Sequence, residues 1–449
     1  MKFVKKLSFL TAVLLTAVFV LPCFPAKAAY KTPFDVNSKY VYMVNMDTNS
    51  VIYEKNADQK AYPASLTKIM TAILAMEQVK DLKDTMVTAP GYIYDEFYGL
   101  GVSTADIRKG ETVSMEDLLY ALILPSACEA GSIIADYLGN GDISEFVRMM
   151  NDKAAELGAV NTHFVNPHGL YDTEQVTTAK DMYLITKYAL TFPIFEKICN
   201  TTTYKMPVTS YHPNDNWYIN HTNKMLFKGS PSYYEGMKGI KTGTLDEAGR
   251  NLISTASNKN GYNYMLVTMN APIYGSDGKM LAENLSYTDA KNLYNWAFSS
   301  FSVQSVLKEN DIVTEIKVGL SSQQDYVNLV AKNDVAALLP VDTDNSVIQR
   351  SITLVSDVKA PVKKGDVLGK MELKLSGESI ATVELCAMED VNRSTWMYVL
   401  DVTSRFFSFK AVRTLLILLL ILLILYLVFL ARYRKMKRLR AQRARKYRR

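Results

Sequence analysis

Residues 62–77 read YPASLTKIMTAILAME. Apolar side chains recur here at helical spacing, so the stretch predicts a helix with an apolar face. That helix carries a hydroxyl at Ser65 and an ammonium at Lys68. Residues three apart lie side by side on a helix surface, so the two polar groups meet. One interpretation is a capping serine and a solvated lysine. The other is a nucleophile beside its base. Serine and lysine are common enough that such a pair recurs by chance about once or twice in a chain this long. The surrounding sequence must therefore choose between them.

On the N-terminal side, YVYMVNMDTNSVIYEK (40–55) predicts a hairpin, two β-rich runs around a turn. On the C-terminal side, SMEDLLYALILPSACEAGSIIADYLG (114–139) predicts a helical region broken at Pro125. SEFVRMMNDKAAELGA (144–159) predicts an amphipathic helix ending near Gly158, and TTAKDMYLITKYALTFP (177–193) another. After Gly236 the pattern changes to strands in MKGIKTGTL, RNLISTASNK and YNYMLVTMNA. Two strands, then helices, then three strands predict a layered α/β domain with a mostly antiparallel sheet over residues 35–295. From 300 to 400, short runs such as TEIKVGL, YVNLVA, ITLVS and ATVELCA alternate with turns and predict a small all-β domain.

The ends of the chain place it at a membrane. Lys2, Lys5 and Lys6 precede an apolar run from Leu7 to Leu21, and AKA closes at Ala28. This is the pattern of a secretory signal peptide over 1–28. Pro22 before Cys23 argues against a lipoprotein signal. Thr414 to Ala431 is 18 residues without a charge, mostly leucine and isoleucine. At a helical rise that run covers about 27 Å, close to the hydrocarbon thickness of a bilayer. A transmembrane helix is expected at 411–431, preceded by an aromatic and basic belt. The tail at 432–449 holds eleven Lys and Arg and no acid. Beside a span, the positive-inside rule accounts for it better than nucleic-acid binding does, so the tail is expected in the cytoplasm and the rest outside. The tail carries eleven of the positive charges and the signal peptide four, which leaves −9 for the remainder of a +6 chain. The exported part keeps Cys128, Cys199 and Cys386, an odd number that excludes complete internal pairing. No spacing suggests a metal site, and no cofactor is expected.

Two further motifs accompany Ser65. PSAC (125–128) places Ser126 about 60 residues downstream, and IKTGT (240–244) follows over 110 residues later, in a strand. Together with SLTK (65–68) they resemble the three motifs of penicillin-recognising serine acyltransferases. NPHGLYDTEQVTTAKDM (166–182), NHTNKML (220–226) and GIKTGTLDEAGRNL (239–252) narrow the resemblance to the serine-type D-alanyl-D-alanine carboxypeptidases, the low-molecular-mass penicillin-binding proteins. It covers residues 30–430, including the β domain and the C-terminal anchor.

The resemblance implies a penicillin-recognising transpeptidase-like α/β fold. It also implies removal of the terminal D-alanine from peptidoglycan stem peptides through an acyl-enzyme, with β-lactams as inhibitors. Ser65 is the expected nucleophile and Lys68 its base. Lys68 must then be neutral, kept so by burial or by the cation of Lys241. Ser126 would relay the proton to the leaving amine. The N–H groups of Ser65 and Thr244 would hold the oxyanion. Lys241, Thr242 and Gly243 belong to the carboxylate-binding strand, with His221 or Lys224 as possible additions. His168 is expected to organise its loop, and Arg250 to brace the site through an ion pair. Two positions depart from the family pattern. Cys128 stands where asparagine is usual, and a thiol is a weak donor and acceptor. Lys238 stands where an acid is usual. Two competing readings remain. A β-lactamase would need a deacylating base, and no Glu-x-x-x-Asn-like segment supplies one. A weakly active or non-catalytic peptidoglycan-binding protein would have no need of the ionisable pair.

Overall fold

The computed structural model describes residues 30–446 apart from Ser376. The expected signal peptide and the last three residues lie outside this range. The chain divides into two compact units. The first runs through Gln304 and includes Ala336–Val347 and Leu375–Ile380; the second comprises Ser305–Val335, Ile348–Lys374 and the residues from Ala381 onward.

The first unit is built on a five-stranded sheet of β1 (Tyr40–Asn45), β2 (Ser50–Lys55), β3 (Met237–Leu245), β4 (Gly249–Ser257) and β5 (Asn263–Ala271). The order is β2-β1-β5-β4-β3, and every neighbouring pair is antiparallel. Side chains alternate across a strand, and here both faces are covered. Val41, Met43, Leu252 and Leu266 pack with Leu293, Tyr294 and Ala297 of the helix Leu285–Ser300. Tyr42, Val44, Ile253 and Val267 pack with the helices between the second and third strands.

The central one of those helices is α1 (Lys68–Gln78). The sequence predicts one apolar face, but α1 is buried on all sides from Lys68 through Met76. Helices α2 (Met115–Ile123), α3 (Cys128–Leu138) and α4 (Ala179–Ala189) pack beside it. The break between α2 and α3 has a local cause. Pro125 has no N–H to continue the ladder, and the carbonyl of Ala121 is taken by the N–H of Ala127 at 3.0 Å. Ser126 lies between, with φ +67°, in the left-handed region. The helix Met115–Ile123 is opened by a capping box in which Ser114 and Asp117 exchange hydrogen bonds.

The second unit holds another five-stranded sheet of β6 (Ile312–Lys317), β7 (Tyr326–Ala331), β8 (Gln349–Leu354), β9 (Val367–Leu375) and β10 (Glu378–Ala387), in the order β6-β7-β10-β9-β8. Leu329, Met371, Leu373 and Leu385 fill its buried face. Two helices follow, Thr395–Ser408 and Lys410–Lys446. The first buries no residue and exposes Trp396, Phe406 and Phe407. The second is, by length and composition, apolar enough to cross a membrane, with a mean hydropathy of 3.2 and none of its apolar stretch buried.

Candidate active site

Ser65 lies in a 3₁₀ turn, Ala64–Thr67, that leads directly into α1. The turn is fixed from three directions. The Asn251 side-chain amide of β4 donates to the carbonyls of Tyr62 and Pro63 at 3.0 and 3.1 Å. The edge strand β3 approaches through Gly243, where a β-carbon would come within 3.1 Å of the Ser65 nitrogen and 3.2 Å of the Pro63 carbonyl. The loop at Gly169, with φ +87°, comes so close that a β-carbon would stand 1.9 Å from the Ala64 carbonyl. Gly169 requires glycine because backbone meets backbone there at positive φ, and Gly243 leaves a side chain little room.

Lys68 is fully buried and its ammonium faces three acceptors. Nζ is 3.2 Å from Ser65 Oγ and 3.5 Å from Cys128 Sγ, and it donates to the main-chain carbonyl of His168 through a short bond. Burial pulls its proton affinity below the ordinary lysine range, while Cys128 and Glu129 oppose that shift. Lys241, on β3, is also fully buried and donates to the Thr242 carbonyl at 3.0 Å. It is held well below the usual range, first by burial and then by the charge of Lys68. The sequence left open whether burial or the cation of Lys241 lowers Lys68. In this pocket burial is the leading cause at both lysines.

The other expected site residues are placed as follows. Cys128 begins α3, is buried beside Lys68, and is pinned by its N–H to the Ser103 carbonyl at 2.9 Å. Ser126 is buried, and its Oγ has no partner among the described residues. Thr242 Oγ1 meets Thr222 Oγ1 at 2.7 Å. Gly243 touches the Ser65 turn, and Thr244, next along the edge strand, is exposed. His221 is buried and neutral, its pKa pushed down to about 3 by burial and by Lys241. Its Nδ1 accepts from the Asn223 N–H at 2.9 Å, and Nε2 has no partner among the described residues. Lys224 is exposed over the Phe227 ring. Lys238 meets Glu196 at 3.4 Å on the surface. Among the described residues Arg250 makes no ion pair of the kind expected; its guanidinium donates to the carbonyls of Glu283 and Leu281 at 2.6 and 3.2 Å. Cys128, Cys199 and Cys386 are all free thiols.

Several residues at the site carried no sequence signal of their own. Glu96 takes a hydrogen bond from Ser132 at 2.6 Å and lies 3.3 Å from His168 Nε2. The Leu170 N–H donates to His168 Nδ1 at 3.2 Å, which leaves the ring proton on Nε2 facing Glu96. Thr71 donates to the Pro167 carbonyl at 2.5 Å. These bonds hold the carbonyl that receives Lys68. His168 thus acts on the site through its backbone, with its ring as the tether. Thr222 and Asn251 fall inside quoted motifs, but their roles depend on contacts made 20 and 188 residues away.

A cleft of about 530 Å³ opens next to this cluster, lined by Thr104, Pro125, Trp217, Asn220, Thr222 and Lys224 among others. Taken together, the site offers a hydroxyl next to an amine of lowered proton affinity, a second amine on an edge strand, and two buried groups, Ser126 Oγ and His221 Nε2, without partners among the described residues. That set can activate a serine for attack on a carbonyl and can receive a carboxylate.

Comparison with known proteins agrees with this arrangement. The family model described as D-alanyl-D-alanine carboxypeptidase, peptidase S11, matches residues 26–273, and the one described as the C-terminal domain of penicillin-binding protein 5 matches residues 301–393. The D-alanyl-D-alanine carboxypeptidase DacF of Bacillus subtilis is 29% identical over 370 residues, which cover 82% of this chain and 89% of that protein. Penicillin-binding protein 5 of Haemophilus influenzae has a solved structure that superposes with a TM-score of 0.64 at 25% identity, covering 81% of this chain and all of that one. The Streptomyces K15 DD-transpeptidase superposes with a TM-score of 0.53 at 27% identity, over 60% of this chain and 99% of its own. Solved variants of that enzyme replace a serine and a cysteine two residues apart, the spacing of Ser126 and Cys128 here. With more than half of its length matched by the first of these family models and a fold that carries both domains, the chain belongs to the S11 family of D-alanyl-D-alanine carboxypeptidases.

Proposed function

We propose that this protein is a membrane-anchored serine D,D-carboxypeptidase that removes the terminal D-alanine from peptidoglycan stem peptides. The observation that carries the reading is the 3.2 Å approach of Lys68 Nζ to Ser65 Oγ, in a buried pocket closed by the Lys241–Thr244 strand. Ser65 Oγ attacks the carbonyl between the two D-alanines as Lys68 takes its proton. The Ser65 N–H and the Thr244 N–H stabilise the oxyanion. Lys241 and Thr242 receive the terminal carboxylate, and the close approach at Gly243 keeps the strand against the nucleophile. Ser126, whose buried Oγ has no partner among the described residues, carries the proton from Lys68 to the departing amine. Free D-alanine leaves, and water hydrolyses the acyl-Ser65 ester. Cys128 stands beside the bound amide, where it offers only a weak hydrogen bond. Penicillins present a carboxylate and a reactive amide in the same relation and acylate Ser65.

The exposed apolar helix and the long helix that follows it support anchoring in a cell membrane, with the enzyme outside and the basic tail in the cytoplasm. The test is labelling with fluorescent penicillin, together with D-alanine release from a pentapeptide. Both are expected from the wild type and neither from Ser65→Ala. Labelling of the variant at another residue, mapped by mass spectrometry, would overturn the assignment.

A further inference from the structure

The two buried lysines pose a question of charge. An ammonium has three donors and needs acceptors for them. Lys68 Nζ has three, Ser65 Oγ, Cys128 Sγ and the His168 carbonyl, whereas Lys241 Nζ is bonded to the Thr242 carbonyl. The other ionisable groups of the pocket offer no settled negative charge. From α3, the Glu129 carboxyl is bound to Thr104 and the Ala105 N–H, and burial favours its neutral form. The Cys199 thiol, from the helix Pro193–Cys199, is pushed up by burial and stays protonated. His168 and His221 are both pushed down and neutral. Cys128 already faces Lys68. A second ammonium beside the first would find no carboxylate to pair with among the described residues of this buried pocket.

We propose that the free enzyme carries one ammonium between these two lysines, resting on Lys68, and that the α-carboxylate of the substrate draws it to Lys241 and so switches on the base. The inference rests on the reading of Ser65 as nucleophile and Lys68 as its base. In the free enzyme Ser65 has only a protonated neighbour and is unreactive. A carboxylate arriving at Lys241 and Thr242 supplies the missing negative charge. One proton leaves Lys68 Nζ and one is bound at Lys241 Nζ, so the total is unchanged. Lys68 then has a lone pair. It accepts the Ser65 Oγ proton as the Oγ–C bond forms, and that proton leaves with the amine when the C–N bond breaks. The carboxylate thus acts on kcat as well as on binding. A peptide ending in an amide would bind without arming the serine.

The experiment separates the carboxylate from the electrophile. The full-length protein is treated with phenylmethanesulfonyl fluoride, a neutral serine reagent without a carboxylate. The rate of Ser65 sulfonylation is followed by mass spectrometry in chloride and in acetate at equal ionic strength. Occupancy by acetate is read from its slowing of benzylpenicillin labelling. Acetate is expected to accelerate sulfonylation, by about tenfold for each unit by which it lowers the pKa of Lys68. Lys241→Met is expected to lose that acceleration. Slower or unchanged sulfonylation while acetate blocks penicillin overturns the proposal, and so does an acetate with no effect on either reaction. Penicillin labelling of Ser65 in the same preparation tests the nucleophile separately. A protein that is labelled but not accelerated refutes the switch alone, whereas one not labelled at Ser65 refutes the underlying reading.

Discussion

Replacing Lys241 by methionine should leave the protein at least as stable as before and almost unable to acylate. Lys241 is fully buried and its amine makes one hydrogen bond, to the Thr242 carbonyl. Methionine has a similar reach without the charge. Exchanging the buried, incompletely hydrogen-bonded amine for a well-packed apolar group spares a desolvation cost of about 1–3 kcal/mol. The lost hydrogen bond returns about 0.5–1.5 kcal/mol of that. The net gain is about 0–2 kcal/mol, and each kcal/mol raises Tm by about 2–4 °C for a domain of this size. The pH dependence gives a sharper signature. The folded state holds Lys241 well below its ordinary range, so the unfolded chain binds a proton that the folded one does not. Wild-type stability therefore rises with pH from the folded-state pKa up to the unfolded value near 10.4, by at most about 1.4 kcal/mol per unit. The variant lacks this contribution. Its advantage should be greatest at the low end of that window and shrink towards pH 10. Urea unfolding at several pH values measures the gap, and penicillin acylation should fall by about 10²–10³ with the loss of the carboxylate partner. A variant less stable than wild type at neutral pH, or a gap that does not change with pH, would refute the reasoning.

The other expectations concern the same pocket and the anchor. Gly243→Ala forces a β-carbon to 3.1 Å from the Ser65 nitrogen, which should cost about 1–3 kcal/mol in a melt and slow acylation about 10²–10³-fold if that N–H serves the oxyanion. Normal acylation by a destabilised variant would remove Ser65 N–H from the mechanism. Cys128→Asn supplies an amide where the buried thiol gives only a weak bond; one neutral hydrogen bond is worth about 0.5–1.5 kcal/mol, so stopped-flow acylation should quicken about threefold to tenfold. A variant that is merely less stable would show that the cysteine serves packing. Ending the chain after Arg393 removes the exposed apolar helix and the long helix beyond it, and should release a soluble enzyme that still hydrolyses a free pentapeptide. Loss of that hydrolysis would mean that the removed segment supports the active fold.

Much of the architecture is legible from periodicity. The hairpin at 40–55, the break at Pro125 and the three late strands all follow from side-chain patterning and backbone chemistry. The β9 strand, VLGKMELKL, alternates, with one face buried at Gly369, Met371 and Leu373 and the other half-exposed or open, whereas β1 is buried on both faces. At the site, Ser65, Lys68, Ser126, Cys128 and the Lys241–Thr244 strand stand out because they fall in short motifs. Glu96 falls in no such motif, and the parts played by Thr222 and Asn251 within theirs depend on hydrogen bonds to distant segments.

The sequence alone singled out the residues proposed to carry the chemistry, because a hydroxyl, an amine and their spacing along a helix are local properties. It also determined the apolar run and the basic tail, which depend only on composition. Tertiary structure decided the environment. Pairing of β1 with β5 closes a loop of more than 200 residues, and that closure places the late edge strand against the early serine turn. It also buries α1 on every side, so that Lys68 faces a carbonyl from a loop 100 residues away instead of solvent. Whether a lysine is a surface charge or a base depends on desolvation and on its neighbours. Both are set by what packs over it, and no local pattern encodes that.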